Sequence, residues 1–319
     1  MDETVIDVTF VLIGFAFLMF GGEALVQGAT RISQSLSVSP LVVGFTVVAI
    51  GTSLPELAVA IEAIESGVPN IAVGGVLGSN VANVMLVLGA AAVLGAKSDS
   101  EIEVKRDSFA VVVATLFMAI FVYFGKVPLL GGVVMLTCLI GYYYYTYSVA
   151  ISGEDEYEFE DSWLPNKMSL AIPFSAMGGG MIWFGAELLV SGSTGIAGTF
   201  GVSEAVIGLT IVALGTSLPE LAVTLVAGIR GQGGVAVGNV LGSNVMNIMG
   251  IIGIASIVGS GIPVDVEFQR DILVVIATSG FAVWMLISEK EFTKNIGTMM
   301  ILTYLFYMIY LGGFLDGLF

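Results

Sequence analysis

The chain has 319 residues, 56% of them hydrophobic and 11% charged, with a formal net charge of −16 and a mean hydropathy of +0.99. Soluble domains carry about 25% charged residues, so this composition excludes one and points to a protein that lives in lipid. The acidic balance argues against a nucleic-acid partner, the lack of histidine excludes histidine-ligated zinc and an imidazole proton shuttle, and a single cysteine, Cys138, excludes an internal disulfide.

Ten apolar runs follow one another, at about 5–30, 39–63, 70–95, 107–124, 128–150, 168–194, 203–228, 234–258, 270–288 and 295–316. Each is long enough to cross a bilayer as a helix, and none alternates as a barrel strand would. The predicted fold is an all-α polytopic membrane protein with ten transmembrane helices. The first run follows Asp2 and Glu3 with no Lys or Arg, so it reads as a retained span rather than a cleaved signal.

The second run contains Gly51-Thr-Ser-Leu-Pro-Glu56. Pro55 lacks an N–H and clashes with the carbonyl four residues back, so the helix is expected to break near mid-span and restart at the proline. The break leaves bare carbonyls around Ala49 to Thr52, tolerated at that depth only inside protein or along a cavity. Thr52 and Ser53 lie four and three residues before Glu56 and share its helix face. In the third run Ser79 and Asn83 are likewise four apart; they suit either cation ligation or hydrogen bonding between helices.

Further along, Cys138 sits in an apolar run and reads as packing, and the tyrosine-rich stretch 142–147 reads as an interfacial belt. Six of the eight residues 154–161 are acidic, which fits a solvated loop. Residues 1–150 then form one unit, 151–167 an acidic linker and 168–319 a second unit.

The second unit repeats the first at an offset of 164. Residues 44–60 and 208–224 share 13 of 17 identities, and 72–83 and 236–247 share 10 of 12. The offset carries Glu56 to Glu220, Thr52 to Thr216, Ser53 to Ser217, Ala49 to Ala213, Ser79 to Ser243 and Asn83 to Asn247. Glu23 and Glu187 are a further matched pair, read as interfacial or on an ion path. Five spans per copy is an odd number, so the copies are expected to be inverted, with a site at their interface near the midplane. With the N-terminus outside, eight of the ten positive residues (Arg31, Lys97, Lys105, Arg106, Lys167, Arg230, Lys290 and Lys294) fall on the cytoplasmic side. Both termini are then outside and the linker is cytoplasmic, in a cell-membrane protein.

Pooled at one cavity, two carboxylates, several hydroxyls and amides, and free carbonyls make an all-oxygen site for hard cations such as calcium, and sodium can use the same oxygens. Two mutually exclusive ions at one dehydrated site are the simplest basis for exchange. If more than two sodium ions replace one calcium, transport senses membrane potential.

The pairing of GTSLPE with a following GSNVxN in both halves resembles the sodium/calcium exchangers of the calcium/cation antiporter superfamily, in their compact archaeal and bacterial form, over essentially all ten spans. The resemblance implies a secondary antiporter rather than an enzyme, with no cofactor, calcium and sodium as cargo, and a functional monomer in the bilayer. It implies Glu56 and Glu220 as the main calcium ligands, helped by the carbonyls of Thr52 and Thr216, with Ser53, Ser217, Ser79, Ser243, Ala49 and Ala213 serving sodium. It also implies long first and sixth helices that slide, with Gly21, Gly22, Gly28, Gly185 and Gly192 fitting a sliding face or tight packing alike. This chain departs from the family pattern at Gly75, opposite Asn239, and in carrying amides at both Asn83 and Asn247. A calcium/proton exchanger using the same two glutamates, and more remotely a cation channel, are the alternatives.

Overall fold

The computed structural model describes residues 3–96, 101–152, 162–201, 213–288 and 293–311. The acidic run 154–161, residues 203–212 of the seventh expected span and 312–316 of the tenth lie outside them. The unbroken apolar stretch at the start forms one long helix, α1 (Glu3–Leu36). Ser39 caps the next helix through Val42 N–H (3.2 Å), with Pro40 in its first turn. That helix, α2 (Pro40–Thr52), meets α3 (Leu54–Glu65) at a bend of 43°. There follow α4 (Pro69–Leu94), α5 (Glu101–Tyr123), α6 (Leu129–Ser152) and α7 (Met168–Thr199). A short helical turn, Ala213–Gly215, precedes α8 (Leu218–Ile229), and then come α9 (Gly233–Val258), α10 (Phe268–Ile287) and α11 (Lys294–Leu311).

Among the described residues seven helices are long and apolar enough to cross a membrane, eight if α2 and α3 count as one bent span. Expected and observed limits differ mainly at the ends. The fourth span begins at Glu101 rather than 107, because Glu101 and Glu103 suit the first turn of a helix. Subtracting 164 from the limits of α8 returns those of α3 (218 to 54, 229 to 65), so the sequence repeat is also a structural one.

The middle of the protein is built from α4 and α9. In their most apolar stretches 72% and 89% of residues are buried, against 22% for α6, which presents most of its surface outward. Each inner helix contains a π-helical turn, Asn83–Leu88 in α4 and Met246–Ile252 in α9, and a third lies in α2 at Gly44–Val48. Such turns recur at functional sites.

The two longest helices, α1 and α7, run antiparallel along each other. Gly14 faces Gly185, Gly21 faces Gly178, Gly28 faces Ala171 and Ser175, and Gly192 faces Asp7. A Cβ on Gly21 would lie 2.8 Å from the Gly178 carbonyl oxygen and 2.9 Å from the Ile182 nitrogen. Gly21, Gly28, Gly185 and Gly192 thus lie at close crossings of the two long helices. Gly22 faces Ala222 and Val226 of α8 instead.

Several peripheral residues fall elsewhere than the sequence led us to expect. Cys138 is exposed, not packed, because it lies on the outward face of α6. Of the tyrosine-rich stretch, Tyr142 and Tyr143 turn inward and meet the Phe45 ring at centroid separations of 5.6 and 6.2 Å. The Tyr142 hydroxyl donates to buried Asp107 (2.6 Å), which also pairs with Arg106 (2.7 Å). Tyr144, Tyr145 and Tyr147 remain outside, as a belt requires. Glu23 and Glu187 are not equivalent. Glu23 accepts from Gln27 (3.0 Å), from Trp163 next to the linker (3.1 Å) and from Arg230 at the end of α8 (2.9 Å), whereas Glu187 is exposed. Arg31 holds the carbonyls of Ser162 and Leu164, fastening the end of the linker to α1. A two-residue antiparallel strand pair, β1 (Lys126–Val127) with β2 (Ile262–Pro263), ties the loop after α5 to the loop after α9.

Gly21→Val should wedge α1 from α7 and destabilise the fold by about 1–3 kcal/mol. This is read as a lower unfolding midpoint in detergent. Gly141→Ala, where an added Cβ meets nothing within 4 Å, should leave the midpoint in place.

Candidate cation site

The break between α2 and α3 falls at Ser53 (φ −88°, ψ 4°), and its counterpart before α8 falls at Ser217 (φ −91°, ψ 2°). The expected restart is one residue early in both copies: each helix resumes at leucine, and proline takes the second position of the first turn, where its missing N–H costs nothing. The glutamate follows the proline directly in each copy. The Ala49 carbonyl is not bare, as the sequence reading had it. It accepts from Ser53 N–H (3.1 Å) and from the Thr52 hydroxyl (3.3 Å), because α2 stays helical through Thr52. The Gly51 carbonyl is the one whose helical partner would be the nitrogen of Pro55, which carries no hydrogen.

The two breaks face one another across the middle of the protein. Ser53 donates to Glu220 Oε1 (3.2 Å), so the first break reaches the carboxylate of the second half. Ser79 Oγ stands 3.5 Å from Glu56 Oε1, 3.4 Å from Ser217 Oγ, and accepts from Asn247 Nδ2 (3.1 Å). Thr52 Oγ1 is 3.4 Å from Ser243 Oγ and 3.2 Å from Asn239 Oδ1. Thr52, Ser53, Glu56, Ser79, Ser217, Glu220, Ser243 and Asn247 are thus brought together, all buried, with side chains from both halves in contact.

Asn83 is buried one helical turn beyond Ser79, and neither of its amide atoms has a protein partner. Thr216 lies in the second break beside Ser217. Ala213 opens the helical turn that leads into that break.

Glu56 and Glu220 are 6% and 0% exposed, and in each the second carboxylate oxygen, Oε2, has no hydrogen-bond donor from the protein. A buried carboxylate in that condition is costly unless a cation or a proton accompanies it. Among the described residues no group of three or more His, Cys, Asp or Glu stands together. What gathers here is two acids and a shell of neutral hydroxyl, amide and carbonyl oxygens. That donor set suits hard cations and offers nothing to soft metals.

Sequence reasoning passed over three buried residues at or beside this centre. Thr224 donates no repeat signal because its counterpart is Ala60, yet it accepts from Asn239 (3.1 Å). Asn80 and Asn244 are both buried beside the serines of the repeated Gly-Ser-Asn motif, and the motif itself could have flagged them.

Comparison with known proteins agrees with this geometry. The profile of the sodium/calcium exchanger protein family matches residues 6–148 and 170–313. The chain is 34% identical over 276 residues to the putative antiporter CaxA of Alkalimonas amylolytica, covering 85% of this chain and 86% of that protein. It is 31% identical over 290 residues to the sodium/calcium exchanger MaX1 of Methanosarcina acetivorans, covering 77% and 81%. Among solved structures, the sodium-calcium exchanger NCX_Mj soaked with zero Na+ and Ca2+ superposes with a TM-score of 0.80 at 30% identity, over 97% of this chain and 99% of that one. A helical membrane protein with two broken helices meeting at paired glutamates, matched along nearly its whole length, belongs to the sodium/calcium exchanger family.

Proposed function

We propose that this chain exchanges sodium for calcium across the cell membrane by alternating access, and that the exchange is electrogenic. The observation that carries the reading is the pair Glu56 and Glu220, buried in opposed helix breaks with one oxygen each left without a protein donor. Two negative charges balance one calcium ion, and the surrounding neutral oxygens complete a shell of the kind calcium takes. Thr52 and Thr216 supply backbone carbonyls to calcium. Ser53, Ser217, Ser79, Ser243, Ala49 and Ala213 serve sodium, and Asn83 and Asn247 line the same cavity as neutral ligands. The Oδ1 atoms of Asn83 and Asn247 are buried with no protein partner, which suits both to this role.

In this reading the chain has ten transmembrane helices in two inverted five-helix repeats, residues 1–150 and 168–319, joined by the acidic linker 151–167. The contacts of α1 with α7 support the inversion. Position 14 meets 185 and position 21 meets 178, and 185 and 178 are the repeat equivalents of 21 and 14. Equivalent helices that meet in this reciprocal, antiparallel way are related by a two-fold axis lying across them. The distribution of positive residues supports termini on the outside and a cytoplasmic linker. The centre is complete within one chain, which fits a functional monomer. Val190 of α7 lies against Gly215 at the end of the turn leading into the second break, and Gly22 of α1 against α8, so the two long helices bear directly on the elements that carry the site.

In sodium-loaded proteoliposomes, an outward sodium gradient should drive calcium uptake in buffer clamped against pH change. Uptake driven only by a proton gradient would instead identify the calcium/proton exchanger, and single-channel currents a pore. More than two sodium ions per calcium carry net positive charge outward, so an inside-positive potential should speed uptake, each net charge moved being worth about 2.3 kcal/mol per 100 mV. Indifference to potential would overturn electrogenic exchange. Glu56→Gln or Glu220→Gln should lower calcium uptake by at least about 100-fold, since each leaves a divalent ion half neutralised; loss of an outer partner alone costs 10–100-fold. Normal uptake by either variant would refute the site.

A further inference from the structure

The two halves of the site are not braced alike. Asn239, fully buried in α9, uses its whole side-chain amide inside the protein. Its Oδ1 accepts from the Thr52 hydroxyl (3.2 Å), and its Nδ2 donates to the backbone carbonyl of Glu220 (3.3 Å) and to the Thr224 hydroxyl (3.1 Å). Thr52 ends the half-helix that leads to Glu56, and Glu220 stands in the first turn of α8. One amide therefore spans from the first broken helix to the backbone that carries the opposite carboxylate. Asn239 makes no hydrogen bond to a carboxylate oxygen, so it acts on the site through its neighbours.

The repeat equivalent of this brace cannot form. Subtracting 164 turns Asn239 into Gly75 and Thr224 into Ala60, so both the amide and one of its acceptors are missing. Crowding does not account for the glycine. A Cβ at Gly75 would meet nothing within 4 Å. Equivalent backbone positions thus hold a cross-site tie in one half and open space in the other.

We propose that Asn239 is a positioning residue whose one-sided brace between the two broken helices fixes the size of the cation cage and so sets its preference among divalent ions. The proposal rests on the transport reading above. A cage of fixed dimensions discriminates between ions by radius, whereas a loosely held one adapts to each.

The test uses the purified full-length chain in sodium-loaded proteoliposomes, with calcium uptake measured alone and in competition with strontium. Asn239→Ala should raise the KM for calcium about 10-fold, the lower end of the effect of losing an outer partner of a metal site, with a smaller proportional change in kcat. It should also move the calcium-to-strontium ratio toward unity. Adding Gly75→Asn to that variant puts an amide in reach of Thr216 and the Glu56 carbonyl, and should recover part of both the KM and the ratio. Should Asn239→Ala fail to fold, Gly75→Asn alone decides the matter: a second brace should lower the calcium KM and sharpen the ratio. An unchanged ratio in the folded variants overturns the brace alone. No sodium-driven calcium uptake by the unaltered chain overturns the transport reading and the brace with it.

Discussion

An ionised carboxylate far from water must find positive charge or hydrogen-bond donors, and the protein donors offered to Glu56 and Glu220 are incomplete. Much of the rest of the architecture follows from that. Serines from the opposite half or the next helix reach each acid once. The second oxygen of each is left without a protein donor. Helix breaks at Ser53 and Ser217 belong to the same economy: they put serine and threonine beside the acids and release a carbonyl that no proline can cap. Burying two charges without a counter-ion is costly, on the order of several kcal/mol each even after relaxation, and mutual repulsion adds to it. On the exchange reading proposed above, a site so made is stable when loaded and costly when empty, as obligatory exchange requires.

The second constraint is proximity. Carbonyl oxygens of one long helix pass within bonding range of where a side chain on the other would begin, so only hydrogen is tolerated at those crossings. Small residues at such a crossing let dispersion forces act between backbones where lipid offers no hydrophobic drive. Through Gly22 and Val190 the paired long helices also press on α8 and on the turn leading into the second break.

The centre was legible in the sequence because it is written twice. Pro55 with Glu56, repeated at Pro219 with Glu220, carries a backbone consequence and a charge together, and chance rarely doubles both. Helix existence was equally plain from hydropathy, since nothing else satisfies backbone groups in lipid. What failed to show was whatever depended on facing. Cys138 and Tyr142 stand four residues apart on one apolar helix, yet one points outward and the other seeks Asp107. Composition alone cannot tell lipid from protein when both are apolar. Position 49 misled for a subtler reason: the local bend waits until after Thr52, so the carbonyl keeps its helical donor. Glu23 and Glu187 looked like twins, but only one has Trp163 and Arg230 beside it, and no periodicity encodes a partner so remote in the chain.

The glycine crossings of the long helices read identically from either side, as an isologous contact does. In a homodimer built that way, any change in the gene appears on both faces at once, so a brace added to one face is added to its twin. Fusion into a single polypeptide lifts that bond. Asparagine opposite glycine, and threonine opposite alanine, are then free to coexist, and a lopsided cage around a symmetric pair of acids becomes something evolution can reach one substitution at a time.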